Sequence, residues 1–580
     1  MTITESLAIL RAAQDLPNPF QIQLACSFTP LHLKTLLAAH QQQRMPQRRA
    51  IVVEGVFGDL IGSIASASNP AAIAVVIEWQ DLDPRLRYRE GAAWGRTLAA
   101  DLIDTARMML GRIEQAIGQL PPHVAVAVSL PTLPLVPIFH PSTWQAGQLE
   151  LLLERELSDF ASRVAGRKLL NVVNRRWLDE HSPASNRFDL KSDLLIGFPY
   201  TIAHADQLAD VLALNLAPRQ PLKGVITDLD NTFWNGLVGE IGTDAVRWDP
   251  ASRYYLHGLY QKLLAALADE GILVGIASKN DPNVVGEALK RNDLLCAQEK
   301  IFPVEVHWSP KSESVGRILK AWNIGADAVA FIDDTPLELA EVAAAHPGIT
   351  CLQFPVGDYQ GVWNLLRNLR DLCGKPRLSE EDALRLESIR RGAEFQQQAE
   401  SGAAQSDDFL KTIDAVLTFD FETAATSART LELINKTNQF NLNGVRLTEA
   451  DWQQKLVQPG AFVLGVKYED KFGALGTIAA VQGRQNVNRL EISAWVMSCR
   501  AFSRRIEHQT LKRLFDRFGV DRIEFKFAPT AKNGPTQEFF GTMLGHLPDN
   551  DFGIDRAQFE SVCPALYHRV EEISGVTLNG

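Results

Sequence analysis

The stretch from Val225 to Thr232, which reads VITDLDNT, constrains this chain more than any other segment. A short apolar, β-branched run leads directly into two aspartates, Asp228 and Asp230. Alternate side chains of a strand share a face, so both carboxylates are expected to project together at the carboxyl end of the strand. In open α/β sheets ligands bind at that end. A pair of carboxylates favours Mg²⁺ between them. The pair also allows one carboxylate to attack phosphorus while the other transfers a proton.

Three segments downstream favour a catalytic site over an accidental D-x-D on a surface loop. Apolar runs end in Ser278, within GIASKND, and in the pair Asp333 and Asp334, within AFIDDTP, while Lys311, within PKS, stands near a helix start. This order (D-x-D-x-T, then Ser, then Lys, then D-D) resembles that of the haloacid dehalogenase superfamily of phosphohydrolases. The resemblance implies a phosphatase that works through an aspartyl-phosphate.

Each motif residue has a chemical role in that interpretation. Asp228 would be the nucleophile, and Asp230 would protonate the leaving oxygen and then activate water. Lys311 would neutralise the nucleophile and the transferring phosphoryl group. The phosphate-binding hydroxyls would be those of Thr232 and Ser278, and the Mg²⁺ ligands would come from Asp228, Asp230 (partly through its backbone carbonyl), Asp333 and Asp334. The superfamily resemblance favours Asp334 as the direct ligand, whereas Asp333 could equally orient its neighbours.

A narrower resemblance covers residues 220 to 545. Residues 228–240 read DLDNTFWNGLVGE, which is similar to a signature of the FkbH-like family. The segments SKND and DDTP match two further motifs, and INKTNQFNL, WVMSCR and APTAKNG match three hallmarks nearer the end of the chain. The family resemblance implies that 1,3-bisphosphoglycerate is dephosphorylated and that its glyceryl unit is loaded onto the phosphopantetheine of an acyl carrier protein, in polyketide-type biosynthesis. The residues by themselves indicate only Mg²⁺-dependent phosphoryl chemistry.

Composition and charge exclude several classes of protein. The chain has 580 residues, of which 46% are hydrophobic and 22% charged, as in ordinary globular proteins of three or four domains. A net charge of −11 argues against a nucleic-acid or membrane binder. Six cysteines without a C-x-x-C pair indicate neither zinc nor a disulfide framework. Since the sequence shows neither a secretory signal nor an apolar run of membrane-spanning length, a cytoplasmic protein is expected.

The chain is predicted to be an α/β protein of three domains. Residues 1–216 alternate strand-like runs, such as QIQLACSF and HVAVAVSL, with helical ones, which implies a parallel sheet covered on both faces and resembles the SGNH-hydrolase fold. Residues 217–373, with the runs GILVGIAS, AVAFIDD and ITCLQF, should form a capless haloacid dehalogenase-like domain. Residues 374–410 are a polar linker, and residues 411–580 mix strands and helices as in the N-acetyltransferase-like fold.

The first domain is expected to be catalytically degenerate. Its resemblance to SGNH hydrolases places Ser27 at the nucleophile position and His204 near the base. Thr201 stands where a working triad carries the aspartate of D-x-x-H, and no G-x-N-D block is visible. A base without an orienting acid makes a poor triad, so a scaffold or carrier-docking role is expected.

The last domain contains the candidates for acyl transfer. In the acetyltransferase-like fold a glycine-rich loop cradles a CoA pyrophosphate, but both glycines are replaced in the loop that begins at Arg500. A pantetheine site and a degenerate docking fold therefore both stay open. The candidate residues are Cys499, Arg500, Asn435, Lys436, Asn438, Gln439 and Asn441. Cys499 could equally be a buried packing residue, and the amides could equally tie loops together.

Three functions remain open at this point. The first combines phosphate removal with glyceryl transfer to an acyl carrier protein. The second is a stand-alone phosphatase for a small phosphorylated acid, which would release phosphate without a carrier. The third is a non-catalytic scaffold for carrier docking, in which the acidic site is vestigial.

Overall fold

The computed structural model describes most of the chain. The residues outside the description are 68–69, 90–98, 138–140, 143, 218–219, 250–253, 376–377, 379–381, 383–384, 388, 391–406, 422–423, 438–439, 472, 487–488, 499–500, 503, 531–532 and 574–580. Two compact units are present: Met1–Arg219 with Thr448–Gln453, and Gln220–Leu447 with Gln454–Gly580. Among the described residues, no helix combines the length and the apolar character that a membrane span requires.

The first unit is built on a five-stranded parallel sheet. Its strands are β1 (Phe20–Ala25), β2 (Ala50–Glu54), β3 (Ala72–Val76), β4 (Ala125–Ser129) and β5 (Leu170–Val172), in the order β2-β1-β3-β4-β5. Its helices are α1 (Ile3–Ala12), α2 (Leu31–Arg44), α3 (Leu60–Ala65), α4 (Trp79–Leu82), α5 (Ala99–Gln119), α6 (Gln148–Val164), α7 (Arg175–His181), α8 (Leu190–Ile196) and α9 (Ile202–Leu216). The strand-like runs predicted here all form strands, and their nearly continuous apolar character is typical of a parallel sheet buried on both faces.

The second unit begins with another five-stranded parallel sheet. Its strands are β6 (Gly224–Thr227), β7 (Leu273–Ser278), β8 (Ile301–Val306), β9 (Val329–Asp333) and β10 (Thr350–Gln353), in the order β10-β9-β6-β7-β8. Its helices are α10 (Val238–Ile241), α11 (Tyr255–Asp269), α12 (Pro282–Leu289), α13 (Lys311–Trp322), α14 (Pro336–Ala345) and α15 (Tyr359–Cys373). The strand that carries the D-x-D motif, β6, therefore lies at the centre of the sheet.

Close packing of Trp322 holds α13 against this sheet. The ring is fully buried, and an added Cβ at Gly224 on β6 or at Gly275 on β7 would lie 2.5 or 2.8 Å from its atoms. The glycines therefore make room for the indole, because any larger side chain at either position would overlap it. Since α13 begins at Lys311, this packing also fixes the height of the lysine above the sheet.

A larger mixed sheet follows in the second unit. Its strands are β11 (Val416–Asp420), β12 (Phe440–Asn441), β13 (Ala461–Asp470), β14 (Gly473–Asn486), β15 (Arg489–Met497), β16 (Arg522–Phe525), β17 (Phe552–Asp555) and β18 (Arg569–Ile573). Their order is β17-β16-β15-β14-β13-β11-β18, and β12 pairs with β15. The helices in this part of the chain are α16 (Asp407–Thr412), α17 (Ala424–Lys436), α18 (Glu449–Leu456), α19 (Ile506–Phe518), α20 (Gly534–Leu544) and α21 (Arg556–Val562). Most of α18 belongs to the segment Thr448–Gln453 of the first unit.

The expected multi-domain α/β fold class is confirmed by these three sheets. The sequence did not predict β8, whose interior contains Pro303. Proline cannot donate to a ladder and argues against a central strand, but β8 lies at the edge of its sheet, where proline is tolerated. The short strands β11, β12, β17 and β18 were also not predicted, and most of the predicted linker 374–410 lies outside the described residues.

Candidate active site

Strand register brings the predicted motif residues to one edge of the second sheet. Thr227, the last residue of β6, lies opposite Ile276 on β7 and Ile332 on β9. All three strands run in the same direction, so Asp228, Ser278 and Asp333 reach the carboxyl edge side by side. The sequence prediction that these motifs converge on this edge therefore agrees with the register of the sheet.

Lys311 links two of the acidic residues. Its Nζ lies 2.9 Å from Asp228 Oδ1 and donates to Asp333 Oδ2 at 2.6 Å, and all three side chains are buried. Burial raises the pKa of Asp228 to about 7, with Lys311 opposing the shift and Asp333 adding to it. Burial disfavours the charge on Lys311, but the two carboxylates outweigh that effect and raise the pKa of the lysine. The ammonium therefore stays charged beside the predicted nucleophile.

Three carboxylates offer a site for a divalent cation. One oxygen each from Asp228, Asp333 and Asp334 lie within 4.8 Å of one another. A set made only of carboxylate oxygens fits Mg²⁺, which prefers oxygen ligands and usually keeps several waters. Asp333 already accepts hydrogen bonds from Lys311 and from the Thr335 amide, whereas Asp334 is only half-buried. This difference favours Asp334 as the more available ligand, and burial together with Asp333 raises the pKa of its carboxyl group.

The carboxylate of Asp230 is held by donors and does not belong to that group of three. Its Oδ1 accepts hydrogen bonds from Trp234 Nε1 at 2.8 Å and from the Val238 amide at 3.1 Å. Its Oδ2 accepts one from Asn280 Nδ2 at 3.0 Å. The sequence predicted Asp230 as a metal ligand, with its backbone carbonyl also facing the metal, but its carboxylate lies outside the group formed by Asp228, Asp333 and Asp334. The acid-base role of Asp230 remains a prediction.

These donors to Asp230 were not predicted from the sequence. Trp234 follows the D-x-D motif by four residues, and Asn280 follows Ser278 by two. The sequence indicated them only in that both are polar side chains within or beside a recognised motif. Their partners could not be read from the sequence, because the contacts join two different loops.

The two predicted phosphate-binding hydroxyls have different surroundings. Ser278 Oγ accepts a hydrogen bond from Asn280 Nδ2 at 3.1 Å. The Thr232 hydroxyl is buried and has no hydrogen-bond partner within the described part of the chain, while the Thr232 carbonyl lies 3.0 Å from His257 Nδ1. A buried hydroxyl without a partner is costly. A phosphoryl oxygen would satisfy it, which is consistent with the predicted role.

The acyl-transfer candidates are placed only in part. Cys499, Arg500, Asn438 and Gln439 lie outside the described residues. Asn435 exchanges two hydrogen bonds with the backbone of Leu447, and Lys436 pairs with Glu432 on the same helix. The Asn441 side chain accepts from the amides of Asn443 and Gly444. These contacts tie loops together, and a role in acyl transfer remains a prediction.

In the first unit, His204 is not hydrogen-bonded to Ser27. Its ring nitrogens lie 2.9 Å from the hydroxyls of Thr132 and Ser182, and the ring is fully buried. Burial, assisted by Arg187, lowers the pKa of His204 to about 3. Ser27 Oγ instead accepts from Gln80 Nε2 at 2.6 Å. The histidine is thus a neutral structural group with two hydroxyl partners.

Comparison with known proteins bears on the fold. No protein-family model and no curated protein matches the chain. A solved structure of the N-terminal part of a Bacteroides fragilis protein, which contains a phosphatase domain and was complexed with Mg, is similar with a TM-score of 0.50 and 16% identity, covering 65% of this chain and 100% of that one. At this identity the likeness shows the fold alone, and it agrees with the multi-domain α/β architecture described above.

Two other solved structures are more distant. An uncharacterized protein from Corynebacterium glutamicum has 19% identity and a TM-score of 0.20, covering 27% of this chain and 98% of its own. Tagatose-6-phosphate ketose/aldose isomerase from Escherichia coli has 11% identity and a TM-score of 0.16, covering 67% of this chain and 87% of its own. Similarities this weak indicate neither the fold nor the function of this chain.

Proposed function

We propose that the second sheet carries a Mg²⁺-dependent phosphatase centre that works through an aspartyl-phosphate. The observation that carries the proposal is the convergence of Asp228, Asp333 and Asp334, within 4.8 Å, around a buried ammonium group. The site lies at the carboxyl edge of a parallel sheet, where such folds bind ligands. A buried group of carboxylates is costly unless cations neutralise it, and Lys311 supplies only part of the compensation.

The residues divide the reaction into two displacements. Asp228 attacks phosphorus and forms the aspartyl-phosphate while the bond to the leaving oxygen breaks, and Asp230 gives that oxygen a proton. Asp230 then takes a proton from water, whose oxygen attacks phosphorus, so that inorganic phosphate leaves and Asp228 is restored. Lys311 donates to the charged oxygens throughout. A Mg²⁺ ion held by Asp228, Asp333 and Asp334 would supply further neutralisation of the phosphoryl oxygens.

The identity of the substrate is proposed from the sequence motifs. We propose that the phosphoryl group is carried by a phosphoglyceryl donor derived from 1,3-bisphosphoglycerate. The glyceryl unit is then transferred to the phosphopantetheine of an acyl carrier protein. The signature at 228–240 and the three hallmark segments between 434 and 534 support this assignment through their similarity to the FkbH-like family.

Phosphate release tests the phosphatase proposal. The full chain with Mg²⁺ and 1,3-bisphosphoglycerate should release inorganic phosphate faster than the uncatalysed background. Asp228→Asn should abolish that release, because an amide neither attacks phosphorus nor binds the cation as a carboxylate does. Unchanged release by Asp228→Asn would place the chemistry elsewhere.

Intact-mass spectrometry of a phosphopantetheinylated carrier protein tests the transfer proposal. The carrier is incubated with the protein, Mg²⁺ and 1,3-bisphosphoglycerate, and a mass gain equal to glyceryl supports transfer. A phosphoglyceryl adduct would separate transfer from phosphate removal. Phosphate release without any adduct favours the stand-alone phosphatase, and neither phosphate nor adduct favours the scaffold.

A further inference from the structure

The side chain of Asn280 lies between two predicted catalytic motifs. It is buried, and its Nδ2 donates both to Asp230 Oδ2 at 3.0 Å and to Ser278 Oγ at 3.1 Å. One amide nitrogen thus joins the acid-base candidate after β6 to the hydroxyl at the end of β7. Neither the motif order nor the family resemblance assigned a role to this residue.

The amide fixes the direction in which Ser278 donates. A hydroxyl has one proton to give and two lone pairs to receive with, whereas an amide NH₂ group can only give. Because Asn280 occupies a lone pair of Ser278 Oγ, the serine proton remains available for another acceptor. The predicted acceptor in this position is a phosphoryl oxygen, so Asn280 sets Ser278 as a donor to the substrate.

The same amide completes the fixation of Asp230. Trp234 and Val238, from the loop after β6, donate to Oδ1, and Asn280, from the end of β7, donates to Oδ2. Donors on both oxygens hold the plane of the carboxylate, and one lone pair of Oδ2 stays open for the proton that is transferred. Without Asn280 the carboxylate would keep both donors on Oδ1 and could pivot about that atom.

We propose that Asn280 is a positioning residue that aims Asp230 at the leaving oxygen and the Ser278 proton at the phosphoryl group. The proposal rests on the proposed phosphatase function and deepens it. It has a chemical consequence that a purely structural tie would not have. Substrates whose leaving oxygen needs a proton depend on Asn280, whereas substrates with a good leaving group depend on it far less.

A series of aryl phosphates whose phenols differ in acidity tests this consequence. The full chain is assayed with Mg²⁺ on phenyl, 4-nitrophenyl and 2,4-dinitrophenyl phosphate. Asn280→Ala should lower kcat/KM, which reports formation of the aspartyl-phosphate, about 50-fold or more for phenyl phosphate and less than about 5-fold for the dinitrophenyl ester, since general acid catalysis contributes about 10²–10⁴-fold. Asn283→Ala is the matched control, because Asn283 is an exposed asparagine three residues further on.

The isosteric variant Asn280→Asp covers the case in which Asn280→Ala does not fold. It keeps the shape of the side chain but replaces the donor with an acceptor, so it should show the same steep dependence on the leaving group. An equal loss of kcat/KM for all three esters, or no loss, in the folded variant would overturn the positioning role alone. If the wild-type protein released phosphate from none of the esters and none from 1,3-bisphosphoglycerate, the proposed function would fall together with this inference.

Discussion

The ammonium group of Lys311 lies 2.6 Å from the carboxylate of Asp333. Both side chains are buried at the carboxyl edge of the second sheet. The same Nζ is 2.9 Å from Asp228, and Asp334 completes the group of acids. Three carboxylates and one ammonium leave two negative charges when all four groups are ionised. A divalent cation would balance that charge. The carboxylates attract the cation and the ammonium group repels it, so their effects on metal binding can be measured separately.

Replacing Lys311 with Met should therefore weaken catalysis and strengthen Mg²⁺ binding. Catalysis should fall by about 100-fold or more in kcat, because a buried charge that stabilises the transferring group is lost. The affinity for Mg²⁺ should rise, because the ammonium no longer repels the cation. Isothermal titration with Mg²⁺ and phosphate release measure the two effects separately.

Lys279→Met provides the control for this change. Lys279 directly follows Ser278, the last residue of β7, and its ammonium group pairs with Glu338 at 2.7 Å. It should leave both kcat and Mg²⁺ affinity close to those of the wild type. If Lys311→Met bound Mg²⁺ more weakly than the wild type, Lys311 would have to act as part of the metal site.

Mg²⁺ should stabilise the second unit against heat. A ligand present at about 100 times its Kd adds about 2.7 kcal/mol to the free energy of unfolding, which raises Tm by several degrees in a domain of this size. Asp334→Asn should reduce that Mg²⁺-dependent shift, and EDTA should remove it from the wild type. Differential scanning fluorimetry with and without Mg²⁺ measures the shift.

Asp244→Asn is the matched variant for the metal test, since Asp244 is an exposed aspartate in the same unit. It should retain the full Mg²⁺-dependent rise in Tm. An equal rise in the wild type and in Asp334→Asn would show that Asp334 is not a ligand, and Asp333 would then be the next candidate to replace.

Ser27→Ala should leave phosphate release unchanged and should remove no esterase activity. His204 is engaged by Thr132 and Ser182, so it does not activate Ser27 as a base. Labelling with a fluorophosphonate probe should accordingly fail on the wild-type protein. Stable labelling of Ser27 would contradict the degenerate interpretation and would call for a base other than His204.

The central motif residues were predictable because chain order alone places them. Asp228, Ser278 and Asp333 each follow an apolar run, and parallel strands deliver such positions to one edge. The sequence predicted that Lys311 lies beside Asp228, whereas its contact with Asp333 was not predicted. The local sequence pattern was therefore sufficient to predict the placement of a residue that lies at the carboxyl end of its own strand.

Contacts between loops were not predictable in the same way. Asn280 reaches Asp230 because the loops after β6 and β7 approach each other, and no periodicity encodes that approach. His204 was expected near the base position of a degenerate triad, and its hydroxyl partners, from the segment after β4 and from the residue after α7, were not predicted. The strand β8 was not predicted because it contains Pro303. Proline is tolerated in an edge strand but not in a central one, and the local sequence does not show which position a strand takes.

Asn533→Ala should destabilise the last sheet. The Asn533 side chain is fully buried, and its Nδ2 donates to the carbonyls of Asn441 and Ala528 at 2.9 and 3.0 Å. Removing it takes this donor from one buried and one half-buried carbonyl, which costs about 2–3 kcal/mol. Denaturant unfolding measures the loss, and Asn550→Ala, at an exposed asparagine, should cost less than about 0.5 kcal/mol. Equal stability of the two variants would show that this amide is not a structural tie.

His204 should make the first unit less stable in acid. Its pKa is about 3 in the folded protein against an ordinary value of 6.5, because the buried ring cannot take up a proton readily. The unfolded chain binds that proton below pH 6.5, so the contribution of His204 to stability is complete above pH 6.5 and is lost as the pH falls towards 3. At pH 5 the loss should be about 2 kcal/mol.

The comparison with His204→Asn isolates this effect from other titrating groups. Asparagine keeps polar atoms beside Thr132 and Ser182 but cannot be protonated, so the variant has a lower stability with a flatter dependence on pH. Unfolding in denaturant at pH 5 and pH 7.5, with hydrogen exchange of peptides from α9, measures the difference for this unit. His181→Asn, at an exposed histidine, should follow the pH dependence of the wild type. If His204→Asn lost as much stability between the two pH values as the wild type, the histidine would be protonated in the folded state.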